Sequence, residues 1–307
     1  MAPAGNPTSG EYPLQRNWAA SARLTFQHYV YRDRLGFLIH PDIASALNLH
    51  DDGMQKPLLA DTEDPVRILD LATGNGVWAV DVASHFADCR RRVEVTSLDV
   101  SNAQFPPKEI CPQNVNFATH NVFDDVPERY LDKFDIIHVR FLMGALLRPG
   151  LKDLMVRNLS KMLKKGGWMQ WQELGMPSWG ELVFDDVGGA TLKLDVRSVS
   201  MWEVVDKHVG TVLGNKWLNE LATIMSEQGG LVDTKLIRPG VKRELVRMET
   251  DIIRWTLEEG KEGLLRMFKT EEGKEEFSRA LEEIHGSIES GKLFSVVCLI
   301  GVGRKAL

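Results

Sequence analysis

Val66-Arg67-Ile68-Leu69-Asp70-Leu71-Ala72-Thr73-Gly74-Asn75-Gly76-Val77-Trp78 is the stretch on which the reading of this chain turns: an apolar run stops at a carboxylate, bends through glycines and enters a helical pattern. Residues 66–71 are β-branched and leucine-rich, interrupted before Asp70 only by Arg67, which is the pattern of a strand buried on both faces. Gly74 and Gly76 permit a tight bend and a close backbone approach to a ligand. Residues 77–83 fit a helix whose free N–H groups point at that ligand. The unit reads as a cofactor-binding strand-turn-helix.

Working outward from this turn, strands are expected at residues 93–98, 115–122, 134–139 and 168–174, separated by helical or loop segments. Such alternation implies βαβ units and a parallel sheet. The helix before residue 168 is the clearest, with Leu151, Leu154, Met155, Leu159, Met162 and Leu163 on one face, Lys164 and Lys165 at its negative end and Gly166-Gly167 as its stop. Residues 231–237 and 294–302 supply a sixth and a seventh strand. Upstream, Leu24, His28 and Tyr31 recur at helical spacing and Gly36 marks a break, so helices precede the first strand.

The domain reading is a disordered tail at 1–15, a helical cap or lid at 16–60, and an α/β core at 61–307. That core is a Rossmann-like, seven-stranded, mostly parallel sheet carrying insertions near 175–214 and 241–290. Residues 50–65 read as a linker. The 307 residues are 43% apolar, ample for a large core, and the formal charge of −6, from 37 basic and 43 acidic residues, argues against nucleic acid or an anionic membrane as partner. Arg90-Arg91-Arg92, the one basic cluster, reads as a solvated loop. The run at 294–302 is far short of a bilayer span. Cys89, Cys111 and Cys298 form neither a metal-ligand spacing nor an even framework, so no disulfide and no metal are expected, and the compartment implied is the reducing cytoplasm.

Gly74-x-Gly76-x-x-Ala79 also satisfies the loose dinucleotide fingerprint, which makes a nicotinamide or flavin cofactor the first rival. Asp70 discriminates. A carboxylate at the strand end repels a pyrophosphate but suits a ligand carrying ammonium and sulfonium charges, as S-adenosylmethionine does. Asp99, ending the next strand, can accept from two ribose hydroxyls of either cofactor. Asn121 can read an adenine edge, with Val122 and Phe123 packed on the ring, or merely cap its loop.

These residues carry a family resemblance. Asp70-Leu-Ala-Thr-Gly-Asn-Gly-Val-Trp78, Asp99-Val-Ser-Asn-Ala-Gln-Phe-Pro106, Phe134-Asp-Ile-Ile-His-Val-Arg140 and Gly166-Gly-Trp-Met-Gln-Trp-Gln-Glu173 resemble the motif series of class I S-adenosylmethionine-dependent methyltransferases. More narrowly, they resemble the fungal secondary-metabolism group that includes N-methyltransferases of epidithiodiketopiperazine pathways. Arg23-Leu-Thr-Phe-Gln-His28 is similar to that group's N-terminal segment. The resemblance covers residues 18–175 well and the remainder in outline. It implies a sheet whose last strand is antiparallel, and cofactor contacts from Asp70, the loop residues Ala72, Thr73, Gly74 and Gly76, then Asp99, Val100, Asn121 and Val122. It also places His138 to Arg140 beside the cofactor's methionine end. Ala72 stands where the broad class has a glycine.

Methyl transfer from a sulfonium is an in-line displacement on an activated carbon, so alignment in a dry cleft dominates and a base is optional. Three candidates for catalytic roles are His138, at the end of a central strand; Glu173, at the end of the next; and His28, on the lid. Each has a bland alternative: a buried histidine bonded to backbone, a carboxylate on a helix N-terminus, a helix-face residue. Arg140 either anchors a carboxylate of cofactor or substrate or pairs with Asp135 or Glu173. The expected function is methylation of a nitrogen, oxygen or sulfur of a small natural product. Two rivals stand beside it: a methyltransferase-like cyclase that binds the cofactor without transferring methyl, and a non-catalytic regulator.

Overall fold

The computed structural model describes residues 12–49, 64–87, 92–175, 180–184, 190–194, 196–210, 216–293 and 295–307. Seven strands form one sheet: β1 (Val66–Leu71), β2 (Val93–Asp99), β3 (Val115–Thr119), β4 (Phe134–Arg140), β5 (Leu163–Gly175), β8 (Leu231–Ile237) and β9 (Val297–Lys305). A separate hairpin pairs β6 (Gly180–Phe184) with β7 (Ala190–Leu194). The sheet order is β3-β2-β1-β4-β5-β9-β8; the first five strands run parallel, and β9 is antiparallel to both β5 and β8. The expected seven-stranded, mostly parallel sheet is what the chain forms.

Alternation along the strands assigns their faces. Leu69, Ile137, Met169 and Trp171 point to one side, where α4 (Leu151–Met162) and α6 (Leu221–Gly229) cover them. Ile68, Val95, Ile136 and Ile300 point to the other, against α3 (Val77–His85) and α2 (Pro41–Ala46). A third apolar cluster joins α1 (Trp18–Leu35), α5 (Val196–Val209), α7 (Val246–Met267) and α8 (Glu271–Glu289). The N-terminal helix and both C-terminal helical segments therefore build one cap, while α2 belongs to the sheet layers.

Several boundaries differ from expectation. β3 ends at Thr119, so Asn121 and Val122 stand in the loop beyond it. α4 stops at Met162, and Leu163 to Gly167 already belong to β5. The pairing of β4 with β5 jumps from Phe134↔Leu163 to Ile136↔Trp168, a bulge that accommodates Gly166 at φ 76°. Lys164 accordingly bonds Asp135 (2.8 Å) instead of capping the helix. The tail expectation fails from residue 12 onward, because Pro13 is buried and Tyr12 to Arg16 lie on the cap. The remainder of the tail, most of the linker, Cys89, Arg90, Arg91 and Phe294 lie outside the described residues.

Candidate active site

A cavity of about 520 Å³ opens beyond the carboxyl ends of β1, β2 and β4, where open α/β sheets hold ligands. Its wall contains the turn from Asp70 through Asn75, then Asp99, Val100, Asn121 and Val122, and Arg140. Nine of the ten residues expected around the cofactor thus share one wall. The tenth, Gly76, does not. It caps α3 at φ 74°, and a Cβ there would stand 2.5 Å from the Phe117 ring, so this glycine serves the packing of α3 on β3.

Asp70 is 3% exposed and accepts from the Thr73 hydroxyl (2.5 Å). Burial pushes its carboxyl up to about 7, opposed by the Thr73 bond and by Arg140, and reinforced by Asp99. Asp99 accepts from the Gly74 N–H (2.9 Å) and the Ser101 N–H (3.0 Å), which fixes it against the turn. Ala72 takes φ 55°, a left-handed conformation that an alanine adopts at a cost. Asn121 closes its own loop: its amide donates to Asp124 (3.2 Å) and its carbonyl accepts from Phe123 N–H (3.2 Å).

Arg140 pairs with neither Asp135 nor Glu173. Its guanidinium donates to His28 Nδ1 (3.0 Å), and because arginine only donates, His28 carries its proton on Nε2 and donates to Asp81 (2.7 Å). The chain Asp81–His28–Arg140 ties α3, α1 and β4 together at the cavity floor. Burial holds His28 below the usual histidine range, opposed by the Asp81 bond. Burial likewise draws Arg140 down to about 10, opposed by Asp70 and Asp81, and it remains a cation. His28 is fully buried and is absent from the cavity wall.

His138 and Glu173 are also absent from that wall. His138 stacks on Trp78 (centroids 3.7 Å apart) and accepts from the Gln170 amide (3.2 Å) through Nδ1, while Nε2 has no partner among the described residues. Burial and the nearby Arg140 hold it well below the usual histidine range, so the ring is neutral. Glu173 accepts from the Leu142 N–H (2.8 Å) and the Trp171 indole (2.9 Å), securing the turn at Met143 to Ala145; burial pushes its carboxyl up to about 7. Its position behind the wall argues against the catalytic role expected of it. Strand parity carries the signal: residue 173 points to the same face as Trp171, which is core.

Other lining residues were not legible. Tyr12 and Arg16 reach the cavity on an N-terminal strap, with the Arg16 guanidinium 4.9 Å from the Tyr12 ring centroid. A Cβ on Gly263 would stand 2.0 Å from the Pro13 carbonyl, and Gln15 N–H donates to Glu259 (3.1 Å), so the strap is seated on α7. Asn75 donates to Ser21 O (2.9 Å) and the Thr25 hydroxyl (2.8 Å), clipping α1 onto the turn. Phe141, at φ 53°, turns the chain out of β4 into the wall. Arg148, Arg266 and Lys269 complete it from elements far apart in sequence. Of the tryptophans, Trp171 and Trp217 are core.

Fold and site together define a Rossmann-like protein that holds a nucleoside-type cofactor at a glycine turn beneath a helical cap. A family profile described as a methyltransferase domain matches residues 48–232, and the chain belongs to that family. It is 31% identical over 209 residues to the methyltransferase grgD of Penicillium sp, covering 67% of this chain and 63% of that protein. It is 32% identical over 116 residues to the N-methyltransferase verN of Clonostachys rogersoniana, covering 38% of each. These matches span less than two thirds of either relative. A solved phosphoethanolamine N-methyltransferase 2 of Haemonchus contortus aligns over 98% of this chain and 61% of its own, at 14% identity and a TM-score of 0.49.

Proposed function

We propose that this chain is a cytoplasmic S-adenosylmethionine-dependent methyltransferase that modifies a nitrogen, oxygen or sulfur of a small natural product in secondary-metabolite biosynthesis. The observation that carries the reading is the pair of carboxylates, Asp70 and Asp99, in the wall of one cavity at the glycine turn. The residues fit that cofactor. Asp99 offers acceptors to ribose hydroxyls, Asp70 suits an ammonium and a sulfonium, Arg140 suits a carboxylate, and Val122 offers an apolar face to a base. When bound, the cofactor supplies an electrophilic methyl on a cationic sulfur.

The chain's own residues then orient and dry the reacting groups. The Asp81–His28–Arg140 chain holds the guanidinium in one direction. Phe141, Leu142 and Leu147 present apolar wall, and the strap excludes water from above. His28, His138 and Glu173 stand behind this wall, where their hydrogen bonds hold structure.

Calorimetric titration with S-adenosylmethionine and with NAD, on the wild type and on Asp99→Ala, tests the reading. Binding of the former alone, weakened at least tenfold in Asp99→Ala, is expected; binding of NAD alone overturns it. Mass spectrometry of a pathway extract incubated with the cofactor then distinguishes a methyl gain from an isomeric, cyclised product.

A further inference from the structure

Two arginines of the cavity wall are held in opposite ways. Glu259 grips Arg23 directly with both oxygens (2.8 and 3.3 Å), and Gln27 takes a third donor (3.0 Å), so that charge is met on the spot. Among the described residues no carboxylate pairs with Arg140. It spends one of its five N–H donors, on His28 Nδ1 (3.0 Å). The imidazole stands between Arg140 and Asp81, one oxygen of which accepts from His28 Nε2 (2.7 Å) while the other pairs with Arg32 (3.0 Å). Burial keeps the His28 ring neutral.

A carboxylate in direct contact with Arg140 would match its planar fork and compete with any incoming acid. A neutral imidazole instead fixes the direction of the guanidinium through one bond and leaves its charge and remaining donors to a ligand. Asp81 in turn fixes the imidazole. Its oxygen on Nε2–H leaves Nδ1 as the acceptor, whereas the other tautomer would set N–H against N–H at Arg140. The three groups come from α3, α1 and β4, and α3 is the helix that begins at the glycine turn. A clip that only joined α1 to the sheet layers would need no cation on the cavity wall, and Asn75, bonded to Ser21 O and the Thr25 hydroxyl, already supplies one.

We infer that Asp81 and His28 are positioning residues: they aim Arg140 at the carboxylate of the cofactor's amino-acid portion and so select a cofactor that carries it. This rests on the methyltransferase reading and deepens it by two residues that do not line the cavity.

The test titrates the full chain by calorimetry with three nucleosides: S-adenosylhomocysteine, decarboxylated S-adenosylhomocysteine, which keeps the ammonium, and methylthioadenosine, which has neither charge. The wild type is expected to bind S-adenosylhomocysteine about tenfold more tightly than its decarboxylated form. Asp81→Ala and His28→Leu lose that preference while binding the two carboxylate-free nucleosides as the wild type does. His28→Gln, which restores an acceptor for Arg140 and a donor for Asp81, recovers it. Arg140→Met abolishes the preference, and His28→Leu/Arg140→Met loses no more than Arg140→Met alone, because His28 acts through Arg140. Equal weakening of all three nucleosides in Asp81→Ala or His28→Leu marks a merely structural role and overturns the inference. A wild type indifferent to the carboxylate, or additive losses in the double variant, also overturns it. Asp81→Ala, at the partly exposed end of the relay, carries the test if His28→Leu does not fold. Failure to bind any of the nucleosides overturns the methyltransferase reading instead.

Discussion

At the scale of single residues, the buried Glu173 behaves unlike a surface carboxylate. Glu173 holds its proton to about 7 because burial penalises the charged form. An unfolded chain releases that proton near the ordinary carboxylate value, so the native state binds more protons between the two and stability falls as pH rises through that window. Glu173→Gln keeps an acceptor for Leu142 N–H and the Trp171 indole and stays neutral. Urea denaturation at pH 4.5 and pH 7.5 should show the wild type losing about 3 kcal/mol relative to the variant. A constant difference between the two proteins would contradict this assignment. Ala72 offers a second check. Its left-handed strain costs about 1–2 kcal/mol, and the added freedom of an unfolded glycine offsets about 0.5–1 of it. Ala72→Gly is therefore expected to stabilise the chain by about 0.5–1 kcal/mol in the same assay. The carboxylates at strand ends were legible because an apolar run terminates at each. The role of Glu173 was not, because the turn it supports is separated from it by a helix and a strand crossing.

At the scale of elements, the strap is the contact on which closure of the cavity depends. Gly263 has no room for a methyl group against the Pro13 carbonyl, so Gly263→Ala must lift the strap from α7. The helix itself loses little, since alanine is the better helix former. Apparent cofactor affinity should fall by the fraction of time the strap remains seated, roughly tenfold for one seated a tenth of the time. Trypsin should also cut after Arg16, which is half-buried on the seated strap. Unchanged affinity together with resistance at Arg16 would remove the strap from the site. Sequence pattern located every strand of the large sheet, because each is a short apolar run between breakers. It misjudged the strap, whose polar and proline-containing residues are ordered by a partner helix more than two hundred positions away.

At the scale of the molecule, the cap is assembled from α1, α5, α7 and α8, and a buried ion pair within it is fastened to the segment that enters β9. Arg34 on α1 donates to Glu249 on α7 (2.8 Å) and to the Val296 carbonyl (2.9 Å), and Ser295 donates to the same glutamate. Both charged side chains are essentially inaccessible. Glu249→Leu strands a buried guanidinium and should cost about 3–5 kcal/mol, whereas Arg34→Met/Glu249→Leu should recover most of it. Denaturant midpoints of the three proteins check this; equal loss in single and double variants would refute it. The cations of the cavity wall belong to this scale too. Arg266 and Lys269 lie close together at the end of α7 and Arg148 far upstream of them, and no local pattern reveals that they line one cavity.

The strand β9 lies between β5 and β8, and β8 joins the sheet through β9 alone. Synthesis delivers β8 some sixty residues before β9 can receive it. While the ribosome is still making α7 and α8, β5 exposes an unpaired edge and β8 has no strand to pair with. The sheet closes only when residues 297–305 have cleared the exit tunnel. A chain truncated before β9 should therefore carry an open strand edge on β5 and aggregate, which sedimentation of the expressed fragment checks.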